Sequence, residues 1–99
     1  MREEADTAAA GRADLVNEVG LHARPSVKLT RVAKRFKCRV EIALDAAGPW
    51  VDAKSPVKVM RVKAPRGAMV HVRTAGPDAE SALAAILGLI HDGFGESDA

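Results

Sequence analysis

Apolar positions along this chain follow two rhythms, and the switches between them outline its elements. Leu29, Val32, Ala33 and Phe36 fall at i, i+3, i+4 and i+7, which predicts a helix within 21–36. From Arg39 to Asp45 the period drops to two: Val40, Ile42 and Leu44 alternate with Arg39, Glu41 and Ala43, the mark of a half-buried strand. AAGP (46–49) reads as a turn and WVDA (50–53) as the returning strand of a hairpin. In SPVKVMRV (55–62) a serine followed by a proline suits the N-cap and first position of a short helix. PRG (65–67) breaks that helix, and AMVHVRTA (68–75) alternates again, with Val70 and Val72 opposite Met69, His71 and Arg73.

The final element carries the strongest pattern. Pro77 with the carboxylates Asp78 and Glu80 opens a helix whose apolar stripe runs through Ala79, Ala82, Leu83, Ile86, Leu87, Ile90 and Phe94. His91 and Gly93 suit its C-terminal turn. At the other end, ADLVNEVG (13–20) predicts a first strand closing at Gly20. Residues 1–13, Ala-rich and charged without a sustained period, predict a mobile tail, and 96–99 a shorter one. The order is β-α-β-β-α-β-α over a folded domain at 14–95. Three helices on one face of a four-stranded antiparallel sheet, an α+β open-faced sandwich of two layers, would bury every stripe described.

Composition narrows the class. Ninety-nine residues, 47% hydrophobic and 28% charged, suit one small globular domain. No apolar run approaches the roughly 20 residues of a membrane-spanning helix, and the N-terminus lacks the apolar centre of a secretory signal. A single cysteine, Cys38, excludes an internal disulfide and a zinc site built on paired cysteines. The expectation is a reduced, cytoplasmic monomer without membrane insertion. The net charge is only +2, yet Lys28, Arg31, Lys34, Arg35, Lys37 and Arg39 gather in the middle of the chain. With no Tyr, two Phe and one Trp there is too little aromatic surface for base stacking, so no nucleic-acid partner is expected. The stripe reads as a solvated helix face, or as a docking surface for an acidic protein.

Chemistry concentrates in Gly20-Leu21-His22-Ala23-Arg24-Pro25, where a strand ends, glycine turns the chain and a helix begins. Histidine is not a preferred N-cap, so its presence there calls for a reason. Pro25 falls in the first turn, where amide hydrogens lack intrahelical partners, and the amides that remain make an anion site around the imidazole. A neutral imidazole offers a nitrogen lone pair as nucleophile. Should that nitrogen take a phosphoryl group, Arg24 adds a guanidinium able to reach two phosphate oxygens. Phosphoryl transfer requires mainly positioning and charge stabilisation, which this cluster supplies. An isolated H-x-R-P is short enough to arise by chance; its place between a strand and a helix gives it weight.

GLHARPSVKL resembles the active-site segment of the histidine-containing phosphocarrier family, HPr, of the bacterial phosphotransferase system. The resemblance runs from about Asp14 to Gly95 and includes AKS at 53–55, the Gly67 turn and AGPDAESALAAILGLIHDGFGE at 75–96, a segment similar to the nitrogen-related NPr branch and to HPr-like proteins of some proteobacteria. It implies a four-stranded antiparallel sheet in the order 1-4-2-3 with three helices on one face. It also implies a carrier, not a turnover enzyme, that needs no cofactor. Such a carrier accepts phosphate from enzyme I and passes it to a histidine on an enzyme IIA. By position, His22 is the phosphorylated residue, through Nδ1, and Arg24 its phosphate partner. The alternative the NPr likeness keeps open is a regulatory protein whose phosphorylation state selects partners without sugar transport.

Further residues follow by the same resemblance. Ser55 matches a serine that a dedicated kinase/phosphatase modifies in some lineages, although capping also accounts for Ser-Pro there. Pro56 and Lys58 depart from the larger apolar residue and the glycine common at those positions. Val57 and Met60 match the apolar docking patch, while Val59 and Val62 are assigned to the core. Lys28 and Arg31 would form a basic rim against acidic partners. His71 and His91 are set aside as surface histidines, and no metal site is expected. The basic residues beside Cys38 would lower its pKa, against which stands a half-buried structural role.

Overall fold

The computed structural model describes residues 8–95, and its elements come in the order expected. They are β1 (Ala8–Asp14), α1 (Ala23–Ala33), β2 (Arg39–Ala43), β3 (Val51–Asp52), α2 (Pro56–Val62), β4 (Met69–Ala75) and α3 (Ala79–His91), followed by a short 3-10 turn at Gly93–Gly95. The strands form one antiparallel sheet in the order β1-β4-β2-β3. Strand alternation decides the layers. Val70, Val72, Val40 and Ile42 point inward and join Leu29, Ala33, Val59, Ala82, Ile86, Ile90 and Phe94 in a single core between sheet and helices. Met69, His71, Arg73 and Ala75 lie on the outer face.

The first strand differs from expectation. It occupies Ala8–Asp14, part of what the sequence suggests is a tail, and pairs with β4 along its whole length, Ala8 opposite Ala75 and Asp14 opposite Met69. Residues 15–20, which carry the larger apolar side chains, form a loop instead. The reason lies in α3. A Cβ at Gly11 would stand 2.7 Å from Leu87 Cδ1, so any side chain at this position of the edge strand would require that leucine to shift. Large side chains on α3 fill the space that β1 leaves. Residues 1–7 and the expected tail at 96–99 lie outside the described residues.

Helix ends follow local chemistry with one adjustment. Ser55 caps α2, its hydroxyl accepting from the Lys58 N–H at 3.3 Å, with Pro56 next in the chain. Before α3 the proline stands outside the helix: Asp78 is the cap residue and Ala79 the first helical position. Asp78 does not cap its own helix but accepts from the Lys37 N–H at 3.1 Å, tying α3 to the segment after α1. Two lysines also join distant elements through main-chain carbonyls: Lys54 Nζ donates to Phe36 O at 2.7 Å and Lys28 Nζ to Phe94 O at 2.9 Å.

Candidate functional site

His22 sits at the N-cap of α1 with extended backbone angles, and its side chain makes no capping hydrogen bond. The Ser26 N–H closes the first turn on His22 O at 3.0 Å. Because Pro25 has no N–H, the amides of Ala23 and Arg24 are the first-turn donors left for an outside acceptor. No acidic side chain lies in that turn to compete for them. The imidazole is exposed, while Leu21 before it and Pro25 and Ser26 after it are buried. The ring is therefore presented to solvent from an anchored backbone.

That anchoring comes from the chain around residues 64–68. Leu21 N–H donates to Ala64 O at 2.9 Å, Gly67 N–H to Leu15 O at 2.7 Å, and Leu15 N–H to Ala68 O at 2.9 Å. Between them Pro65 to Ala68 forms a tight turn, closed by Ala68 N–H on Pro65 O at 3.1 Å, with Gly67 at φ +91°. Gly20 makes the close approach possible. Its φ is +68°, and a Cβ there would stand 2.2 Å from Ala64 O. Asn17 braces the loop from inside, its Nδ2 donating to Gly20 O at 2.8 Å.

Two open clefts flank His22, of about 730 and 680 Å³. Glu18, Val19, His22, Ala23 and Arg66 line both. Arg24, Pro25, Asn17, Val16, Asp92 and Gly93 complete the first; Leu21, Met60, Lys63, Ala64 and Pro65 complete the second. His22 and Arg24 thus share a cleft, and Met60 joins His22 from α2. Val57 is 52% exposed on α2 but lines neither cleft, while Val59 is wholly buried and Val62 packs against the core. Arg31 lies in the last turn of α1, nine positions from His22 and so about 13 Å along the helix axis. Lys28 is tied to the Phe94 carbonyl instead of standing clear on a rim. Ser55 serves as a cap.

Several residues beside His22 escape a sequence-only reading. Arg66 and Lys63 arrive from the α2–β4 connection, and Glu18, Val16 and Val19 from a loop that resembles a strand. Val16 and Val19 are each 49% exposed, an apolar border to the imidazole. The one signal in the sequence was PRG itself, which marks a turn but not what the turn faces. Of the two readings of Cys38 the structural one holds: it is buried, and loss of solvation pushes its thiol pKa up, outweighing the opposing pull of Lys54. His71 lies on the outer sheet face opposite Arg12, and His91 is exposed at the end of α3. Among the described residues, no three His, Cys, Asp or Glu side chains gather as a metal site, and no helix is long and apolar enough to cross a membrane.

Comparison with known proteins converges on one family. Residues 11–92 match the model described as PTS HPr component phosphorylation site. The phosphocarrier protein HPr of Cupriavidus necator is 43% identical over 84 residues, 85% of this chain and 92% of that protein. The phosphocarrier protein NPr of Escherichia coli is 32% identical over 83 residues, 84% of this chain and 91% of that protein. Among solved structures, an HPr from Thermoanaerobacter tengcongensis superposes with a TM-score of 0.82 at 29% identity, covering 90% of this chain and 98% of that one.

Proposed function

The chain belongs to the HPr family and is a phosphocarrier of the phosphotransferase system, and on that premise we propose that His22 is the residue that carries the phosphoryl group. The observation that supports this most is the exposed, uncapping imidazole at the start of α1, beside Arg24 and two donor-bearing amides. In this reading enzyme I, charged from phosphoenolpyruvate in the cytoplasm, presents a phosphohistidine to the clefts. The Nδ1 lone pair of neutral His22 attacks phosphorus, and the donor's P–N bond breaks with its electron pair returning to the donor nitrogen. The Ala23 and Arg24 amides and the Arg24 guanidinium receive the phosphoryl oxygens. Reversal of the same step onto an enzyme IIA histidine discharges the carrier, so His22 forms a phosphohistidine intermediate without turnover chemistry of its own.

Partner docking is assigned to the apolar surface beside the ring, with Met60 on the second cleft and Val57 exposed nearby on α2. A flexible thioether suits a surface that meets both enzyme I and enzyme IIA. Similarity to the Escherichia coli NPr favours a second reading for the pathway, in which phosphorylation state selects partners without sugar transport. Ser55, engaged as the α2 cap, would lose that hydrogen bond if a serine kinase modified it. The decisive experiment is incubation with phosphoenolpyruvate and enzyme I. Wild type should gain one acid-labile phosphate and His22→Ala none. Equal labelling of the two would remove His22 from the mechanism.

A further inference from the structure

Arg24 alone does not balance the charge around His22. In the first cleft its guanidinium shares the wall with Glu18 and Asp92, two carboxylates that would oppose a phosphoryl dianion. Arg66 is the residue that changes this. It lines the first cleft, making its charges even, and also the second, where with Lys63 it outnumbers Glu18. No described carboxylate forms an ion pair with it.

Its placement is fixed by main chain. Arg66 occupies the first central position of the Pro65–Ala68 turn, and backbone hydrogen bonds tie that turn to Leu15 and its approach to Leu21, the two ends of the loop that leads into His22. An arginine held this way keeps its base against the loop while its long side chain stays exposed to the clefts.

We propose that Arg66 is a second phosphoryl ligand, binding the phosphate carried on His22 from the side opposite Arg24. This rests on His22 being the phosphorylated residue. When the Nδ1–P bond forms, the group arrives with its three terminal oxygens. Arg24 and the α1 amides take oxygens on the helix side, and Arg66 takes one facing the turn. The contact forms with the phosphoryl group and is absent before it, so it stabilises the loaded carrier over the empty one.

The test uses isolated phosphoprotein first, where no partner can contribute. Phosphorus NMR titration of the phospho form should show the phosphoryl midpoint moving upward in Arg66→Ala, because a nearby cation favours the dianion and its loss favours the monoanion. Arg66→Lys should retain part of the difference. The equilibrium between phospho-enzyme I and carrier should shift away from the carrier by roughly fivefold in Arg66→Ala, the scale of one charge-assisted hydrogen bond at an exposed site.

An unchanged midpoint and equilibrium in a folded Arg66→Ala, with a raised KM for enzyme I, would overturn the proposal and make Arg66 a docking residue. Should Arg66→Ala prove poorly folded, Arg66→Gln is read by the same two measurements with the same criteria. Labelling of His22→Ala at the wild-type level would instead defeat the phosphohistidine reading itself, a separate outcome recorded on a separate variant.

Discussion

On the outer face of the sheet, Arg73 donates from Nε to Glu41 Oε1 at 2.6 Å and lays its guanidinium over Trp50, 4.1 Å from the ring centroid. At the His22 end, Arg24 and Arg66 line clefts and pair with no described carboxylate. The side chain is the same and the surroundings differ. Arg73 stands directly opposite Glu41 in the β2–β4 register, so its partner is supplied by strand pairing. Arg24 lies in a helix turn without acidic neighbours, and Arg66 on a turn that projects beside an imidazole. Sheet geometry saturates one cation, while a helix start and a turn leave the others without a described carboxylate, free for the phosphoryl group proposed on His22.

The comparison breaks most readily at Gly20. Gly20→Ala forces a left-handed backbone on a residue with a Cβ and drives that carbon into the Ala64 carbonyl, 2.2 Å away. The expected cost is about 2–4 kcal/mol, from backbone strain and a disturbed Leu21–Ala64 bond. Urea denaturation measures it, and phosphorylation by enzyme I should slow as His22 is displaced. Wild-type stability would show that the loop does not need this close approach.

Arg24→Ala is expected to leave stability within about 0.5 kcal/mol, as for other exposed substitutions. Phosphoryl transfer to and from enzyme I should weaken by about 1–3 kcal/mol, the range for a lost charge-assisted hydrogen bond. Rapid-quench kinetics in both directions gives the figure. Rates equal to wild type would place the phosphoryl group away from Arg24.

Arg73→Ala reverses the assignment. It should lower stability by no more than about 1 kcal/mol, since an exposed ion pair and one cation–π contact contribute little each. Phosphorylation of His22 should be unaffected. Slower phosphoryl transfer with this variant would mean that the outer face communicates with the site, and the contrast drawn above would fail.

Much of this was legible in the chain. α1, α3, β2 and β4 announce themselves by period, because each sets a recurring apolar face against one core and the spacing of that face is dictated by backbone geometry. The strand β1 did not. Its inward positions are Ala9, Gly11 and Ala13, too small to register as a hydrophobic face. At Gly11, Leu83 and Leu87 of α3 occupy the space a side chain would take. The apolar residues of 15–20 drew the strand assignment instead, although Val16 and Val19 face solvent.

The sequence by itself determined the local chemistry: a histidine at a helix start, an arginine two residues on, a proline that withdraws one amide and leaves others open. Those relations survive any arrangement of the remaining chain, since they depend on neighbours within a single turn. Only tertiary structure decided which distant residues complete the site. Arg66, Lys63 and Met60 come to line a cleft with His22 because main-chain hydrogen bonds from Leu15 and Leu21 hold the α2–β4 connection against its loop. It also decided that Lys28, a basic residue on the same helix as Arg24, is engaged with the Phe94 carbonyl. Periodicity reports which face of an element is buried; it carries no information about which loops meet, because that depends on how the elements pack.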